Sequence, residues 1–284
     1  MQVNLLSKTI LGLILSVTSA NATFLYLSSN GLSNDVGGLS LGLTANPQNA
    51  AFNNDAFWYF THNTNVLNRA TLSYAGSGTS AVPSVSSLAS FPVLGMTPTG
   101  VDTNTFGDIA IDGNTDTLYA STERGRFYSL DLNNPVLTFN EIVASPGNDT
   151  TVGLELSFNA NSSVLYGHNY ATGNWYTIDT GTGATTQIAG FVTNGFVDIA
   201  GANGDLLYGM GDDTTLYAID IANKTTQALV TTTDISNGIG LAYDAAREQT
   251  LLAQVDSFTV PEPSNYALIA ALSSVALLTR RRRR

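Results

Sequence analysis

Asp112, Asn114, Asp116 and Glu123 stand at the first, third, fifth and twelfth places of the stretch DGNTDTLYASTE. Oxygen ligands at those places are what a calcium-binding loop needs, because a hard cation is wrapped by carboxylate and amide oxygens along one tight turn. The sixth place carries Thr117, where such a loop needs glycine for its sharp bend. The same residues also read as a hairpin, IAID-GNT-DTLYAS, which would carry Glu123 away from the others. Ca²⁺ is the one ion this stretch suggests; no other cofactor is expected. Gly211-Asp212-Asp213 is a second acidic turn, and it reads as solvated. Asp108 and Asp198 begin equivalent strands, a placement that would suit a metal in a central channel.

Nucleophilic chemistry finds little support. The two histidines, His62 and His168, are far apart in the chain, and each lies near a Tyr and an Asn; they read as surface or core residues. There is no phosphate-binding glycine loop and no H-E-x-x-H. The absence of cysteine excludes disulfides, thiolate metal sites and a Cys nucleophile. No catalytic residue is assigned, and the chain reads as a non-enzyme.

The elements that would position these residues repeat. Three stretches stack, beginning at Asp108, Leu154 and Asp198. Each holds an alternating strand, a polar turn, a Leu-Tyr strand, a second turn, an aromatic-x-x-Asp strand and a Thr/Asn-rich turn into a last strand. Tyr119, Tyr166 and Tyr208 align, as do Tyr128, Tyr176 and Tyr217, followed by Asp131, Asp179 and Asp220. Those aspartates are placed to cap turns by accepting from nearby backbone N–H groups. A half copy opens at Gly240, and a degenerate one at Ala56. Four short strands per unit of roughly 40–50 residues predict an all-β, β-propeller-like domain. About five four-stranded blades are expected, with six blades, an incomplete arc or a β-sandwich as alternatives. The strand TFLYLSS from Thr23 could complete the C-terminal half copy and close the ring. Residues 76–105, rich in Ser, Thr, Gly and Pro, are expected to be an irregular connection with one short strand near Phe91 to Leu94. The repeats look like those of secreted propellers that include lactonases and quinoprotein-type dehydrogenases. The LYAID step from Leu216 to Asp220 carries this likeness, which concerns strands and transfers no site.

Charge is unevenly placed. Lys8 and the last five arginines aside, the basic residues are Arg69, Arg124, Arg126, Lys224 and Arg247; these five against 22 acidic residues, all between Asp35 and Glu262, leave the body at −17. Such a body repels nucleic acid and anionic lipid. Nucleic acid is therefore excluded as a partner.

Both ends carry targeting patterns. The start has Lys8, an apolar run from Thr9 to Val17, and small residues at Ala20 and Ala22. This is the layout of a secretory signal peptide spanning 1–22, with cleavage after Ala22. The other end reads VPEPS at Val260, Pro261, Glu262, Pro263 and Ser264. A hydrophobic helix is expected over 266–279, followed by Arg280, Arg281, Arg282, Arg283 and Arg284. Five arginines resist translocation and would stop the chain in the membrane. Residues 257–284 together resemble the PEP-CTERM sorting signal of bacterial secreted proteins, which covers under a tenth of the chain. That resemblance implies handling by exosortase, a membrane protease, near the Pro-Glu-Pro step. It also implies bacterial hosts that make exopolysaccharide or biofilm.

The reading that follows is a propeller domain over 23–256, exported and either anchored in the envelope membrane or released to the extracellular matrix. It would bind an unknown ligand, with extracellular polysaccharide as a partner candidate, through one propeller face. The alternative is a secreted propeller hydrolase or lactonase with a metal in its central channel.

Overall fold

The computed structural model describes residues 23–28, 38–40, 47–61, 66–77, 81–94, 106–122, 125–143, 154–159, 161–193, 195–201, 206–231, 239–244, 246–247 and 249–254. The expected signal peptide, the sorting tail, His62, Glu123 and Arg124 lie outside these residues. Among the described residues no helix is long and apolar enough to cross a membrane.

Among the described residues all the regular structure is β-strand, arranged as a β-propeller of four-stranded sheets. Two short strands come first, β1 (Thr23–Ser28) and β2 (Gly38–Ser40). The next sheet runs through β3 (Pro47–Asn53), β4 (Ala56–Thr61), β5 (Val66–Ala75) and β6 (Val82–Pro92). Then come β7 (Phe106–Asp112), β8 (Thr117–Thr122), β9 (Phe127–Asp131) and β10 (Asn140–Val143). A third set is β11 (Leu154–Phe158), β12 (Leu165–Asn169), β13 (Asn174–Ile178) and β14 (Thr185–Val192). A fourth is β15 (Phe196–Gly201), β16 (Leu206–Gly211), β17 (Thr215–Asp220) and β18 (Thr225–Thr231). Each of these four sets is an antiparallel meander of consecutive strands. The last pair, β19 (Ile239–Asp244) and β20 (Gln249–Gln254), takes β1 and β2 onto its edge. Thr23–Ser28 does pair with the C-terminal half copy, and it does so parallel to β20, from Thr23 opposite Gln249 to Ser28 opposite Gln254.

The first strand of each sheet lies innermost. Strand β3 contacts β7, β7 contacts β11, β11 contacts β15, β15 contacts β19, and β19 contacts β3. A four-stranded sheet with two apolar faces must bury both, and stacking against neighbours achieves this. The core clusters show it directly. Trp58, Phe60 and Leu67 pack with Ile109, Leu118 and Tyr128 across the first two meanders. Ala110 and Phe127 pack with Leu154, Leu165 and Ile178 across the next boundary. Tyr166 and Trp175 pack with Ile199, Leu207 and Ile219 across the third. Phe57, Tyr59 and Leu72 receive Ala242 from β19.

Turn chemistry follows the repeat. Asp131 accepts from the Asn133 N–H at 2.9 Å, Asp179 from the Thr182 N–H at 2.8 Å, and Asp220 from the Asn223 N–H at 2.8 Å. The three aligned aspartates thus cap equivalent turns.

Residues 76–105 need a correction. They hold an 11-residue strand, β6, paired along its length with β5. The stretch VPSVSSLASFP looked like a linker because serine dominates it. As an outer edge strand it needs few apolar side chains, and its serines bond across the pair: Ser73 Oγ lies 2.8 Å from Ser84 Oγ. Pro83 and Pro92 are tolerated because an edge strand leaves one side of its ladder unpaired. The degenerate copy also starts earlier than Ala56, since its first strand is Pro47–Asn53.

One glycine marks how closely the inner strands approach. A Cβ built on Gly201 would sit 2.1 Å from the carbonyl oxygen of Phe158 on β11. That backbone has nowhere to retreat, so Gly201→Ala should destabilise the fold by about 1–3 kcal/mol. Denaturant unfolding would check this, and an unchanged midpoint would show that β11 and β15 are less closely packed.

Candidate functional site at the propeller axis

Each inner strand alternates its side chains between the preceding and the following sheet. On β7, Ile109 and Ile111 turn back toward the sheet of β3–β6, while Ala110 faces β11. Asp108 shares the forward face with Ala110, because residues two apart in a strand point the same way. On β11, Leu154, Leu156 and Phe158 point back, which places Glu155 forward. On β15, Ile199 points back, which places Asp198 forward. Three successive inner strands therefore each send one acidic side chain toward the axis and the next sheet.

One ligand-type oxygen from each of Asp108, Glu155 and Asp198 lies within 4.8 Å of the other two. Asp108 and Asp198 are fully buried, and Glu155 is 8% exposed. Asp108 Oδ2 accepts from the Leu156 N–H at 2.8 Å, and its Oδ1 from the Ile109 N–H at 2.6 Å. Asp198 Oδ2 accepts from the Leu241 N–H at 2.5 Å. Ser121 adds a second bridge, since its Oγ donates to the Leu154 carbonyl at 2.5 Å and accepts from the Asp108 N–H at 3.1 Å. Both aspartates thus bind the backbone of the following inner strand.

Burial pushes the Asp108 carboxyl well above the ordinary aspartate range, and its two backbone N–H donors offset only part of this. Asp198 is raised first by burial and then by the neighbouring Asp108 charge. Among the described cations, none is placed to compensate. Arg126 pairs with Glu141 at 3.2 Å, Arg247 with Asp55 and Asp244 at 2.7 Å each, and Lys224 donates to the Ala189 carbonyl at 2.5 Å. Arg69 lies over the rings of Trp58 and Phe91.

The calcium-loop candidates lie elsewhere and form a hairpin. Asp112 Oδ1 accepts from the Asn114 N–H at 2.8 Å, and Asp112 Oδ2 from the Thr115 hydroxyl at 2.9 Å. Asp116, at φ 55°, accepts from the side-chain amides of Asn53 at 2.6 Å and Asn54 at 2.9 Å. Asn114 donates to the Asn161 carbonyl at 3.0 Å, and the Gly113 N–H to Ser162 Oγ at 2.9 Å. These residues brace the first hairpin turns of three successive sheets. His168 is buried between its own sheet and the next, its ring 4.7 Å from Trp175 and 5.1 Å from Phe196. Asp212 and Asp213 sit in a turn, where Asp213 accepts from the Tyr217 hydroxyl and the Thr215 N–H.

The same braced turns rim a cavity of about 440 Å³. The inner strands line it at Ile109, Leu156, Ile199 and Leu241, whose side chains are themselves buried. Its rim is polar, with Asn53, Asp55, Asn159, Ser162, Asp244 and Arg247. Arg247 joins Asp55 and Asp244 across that rim, with its guanidinium 3.4 Å from the Tyr74 ring centroid.

Glu155 is the residue that stacking the copies at Leu154 misses. A usable signal was present: Asp108 precedes Tyr119 by 11 residues, Glu155 precedes Tyr166 by 11, and Asp198 precedes Tyr208 by 10.

The raised carboxyls have a pH signature. In chain treated with chelator, the folded state holds protons that the unfolded state releases above about pH 4. Stability from this source is full below that pH and falls as pH rises toward the folded-state values. The unfolding midpoint should therefore drop between pH 5 and pH 7.5, and Asp198→Asn should flatten that slope. An identical slope in the variant would mean that the pair does not titrate as its burial demands.

No family model matches the chain, and no curated protein does. Among solved structures it is similar to virginiamycin B lyase from Staphylococcus aureus, at 12% identity and a TM-score of 0.44, over 73% of this chain and 62% of that one. It is also similar to Kuenenia stuttgartiensis hydrazine synthase, at 10% identity and a TM-score of 0.38, over 66% of this chain and 51% of that one. The chain thus spans less than two thirds of the length of either structure.

Proposed function

We propose that this chain is an exported, non-catalytic propeller protein of the bacterial envelope or extracellular matrix. Its five four-stranded sheets are the blades of a ring closed by β1 and β2. Strand β1 begins at Thr23, the residue that follows the expected signal cleavage after Ala22. The tail from Val260 to Arg284 is its sorting signal, handled by an exosortase-type protease.

The observation that carries the binding reading is the cavity at the axis, lined by the inner strands and rimmed by amides, hydroxyls and carboxylates. Such a lining suits a neutral polyhydroxylated ligand, whose hydroxyls meet the rim while its ring faces meet the half-buried rings of Phe52 and Tyr243. Extracellular polysaccharide is the ligand class proposed. The metal-dependent hydrolase reading draws on the axial carboxylates, but these are shut away from solvent. A catalytic metal needs an open position that a substrate can reach, so binding is the better-supported function.

Two measurements test this. Intact mass of the protein recovered from its own host should show a chain starting at Thr23 and ending near Pro261 to Ser264. A chain still carrying Met1 and Arg284 would contradict both targeting assignments. Binding to the host's purified polysaccharide should weaken about tenfold in Tyr243→Ala, which truncates an aromatic side chain in the cavity lining. Equal binding by the variant would remove the cavity as the site.

A further inference from the structure

We propose that Asp108, Glu155 and Asp198 hold a divalent, oxygen-seeking cation, Ca²⁺ by its chemistry, as a structural clamp on the propeller axis. This is independent of what the cavity binds.

The first ground is geometry. One oxygen from each residue lies within 4.8 Å of the other two. Two ligands on opposite sides of a calcium ion, at about 2.4 Å each, are separated by about that distance. The donors are all carboxylate oxygens, the set that a hard cation prefers. His168, the one described histidine, packs against Trp175 and Phe196 and is not one of the three.

The second ground is an unmet requirement. Asp198 is fully buried, and its Oδ1 has no hydrogen-bond partner. Its neighbour is the Asp108 carboxyl, itself an acceptor. Two buried carboxylates facing each other need a shared proton or a cation between them. The described Lys and Arg side chains are engaged elsewhere, as given above. A cation shared by three strands would meet the requirement with the residues already present. Backbone carbonyls or water would complete its shell.

The third ground is position. The three carboxylates come from β7, β11 and β15, and the two aspartates already reach forward to β11 and β19. An ion held there would link four successive sheets at the place where their inner strands converge.

The site is closed, which fits a structural ion bound as the ring forms. The test uses the full chain. Metal content by mass spectrometry after purification in calcium should be one Ca²⁺ per chain, and chelator should lower the thermal midpoint reversibly. Asp198→Asn and Glu155→Gln should each weaken Ca²⁺ affinity by about tenfold or more. Asp112→Asn, in the hairpin, should leave it unchanged. Wild-type chain with no bound divalent ion and no midpoint shift in millimolar calcium would overturn the proposal, leaving a shared proton between Asp108 and Asp198. So would full Ca²⁺ binding by Asp198→Asn, or loss of binding in Asp112→Asn alone. The wild-type arm decides the matter even if an axial variant fails to fold.

Discussion

The innermost strand of each sheet is an edge strand facing the axis, and its outward backbone groups have no ladder partner within their own sheet. Buried N–H groups left unpaired are costly, so an acceptor must come from elsewhere. Here the acceptors are carboxylates of the preceding inner strand: Asp108 for Leu156 and Asp198 for Leu241. Successive sheets are thereby joined by side chain to backbone at the axis, and by apolar stacking farther out. A carboxylate suits this task because it accepts several hydrogen bonds. It also brings charge into a place without water, and the crowding of three such groups follows directly.

Farther along the axis, the linking chemistry changes from charge to amide. Asn53, Asn54, Asp116, Asn114 and Ser162 tie neighbouring hairpin turns. Arg247 ties the turn after β19 to Asp55, 192 residues away in sequence. Exposed ion pairs of this kind contribute little individually. The Arg247 guanidinium also lies over the Tyr74 ring, and cation–π contact adds a second hold on the same rim. The polar cavity mouth is a consequence of these braces.

Much of this architecture is legible in the sequence. Tyr119, Tyr166 and Tyr208 fall on second strands, and Asp131, Asp179 and Asp220 cap equivalent turns, because local turn chemistry and period-2 alternation are written residue by residue. The pairing of TFLYLSS with the C-terminal half copy was legible from the missing strands alone. Its parallel direction was not, since nothing local sets it. Strand β6 was obscured because an outer edge strand can be made of serine. The axial site was half legible. Asp108 and Asp198 stood out as equivalent acids, whereas Glu155 hid behind Leu154, one residue out of step in a strand that is apolar on its other face. The acidic stretch at Asp112 drew attention by its spacing. Spacing alone does not distinguish ligands around an ion from acceptors around a turn.

The central claim is that buried carboxylates at the axis join one inner strand to the next. Hydrogen exchange at the Leu241 amide, compared between wild type and Asp198→Ala, tests it most directly. The account predicts that Leu241 loses protection in the variant while amides in the β4–β5 ladder keep theirs. Unchanged protection of Leu241 would contradict it, and would mean that apolar stacking alone holds the sheets in place.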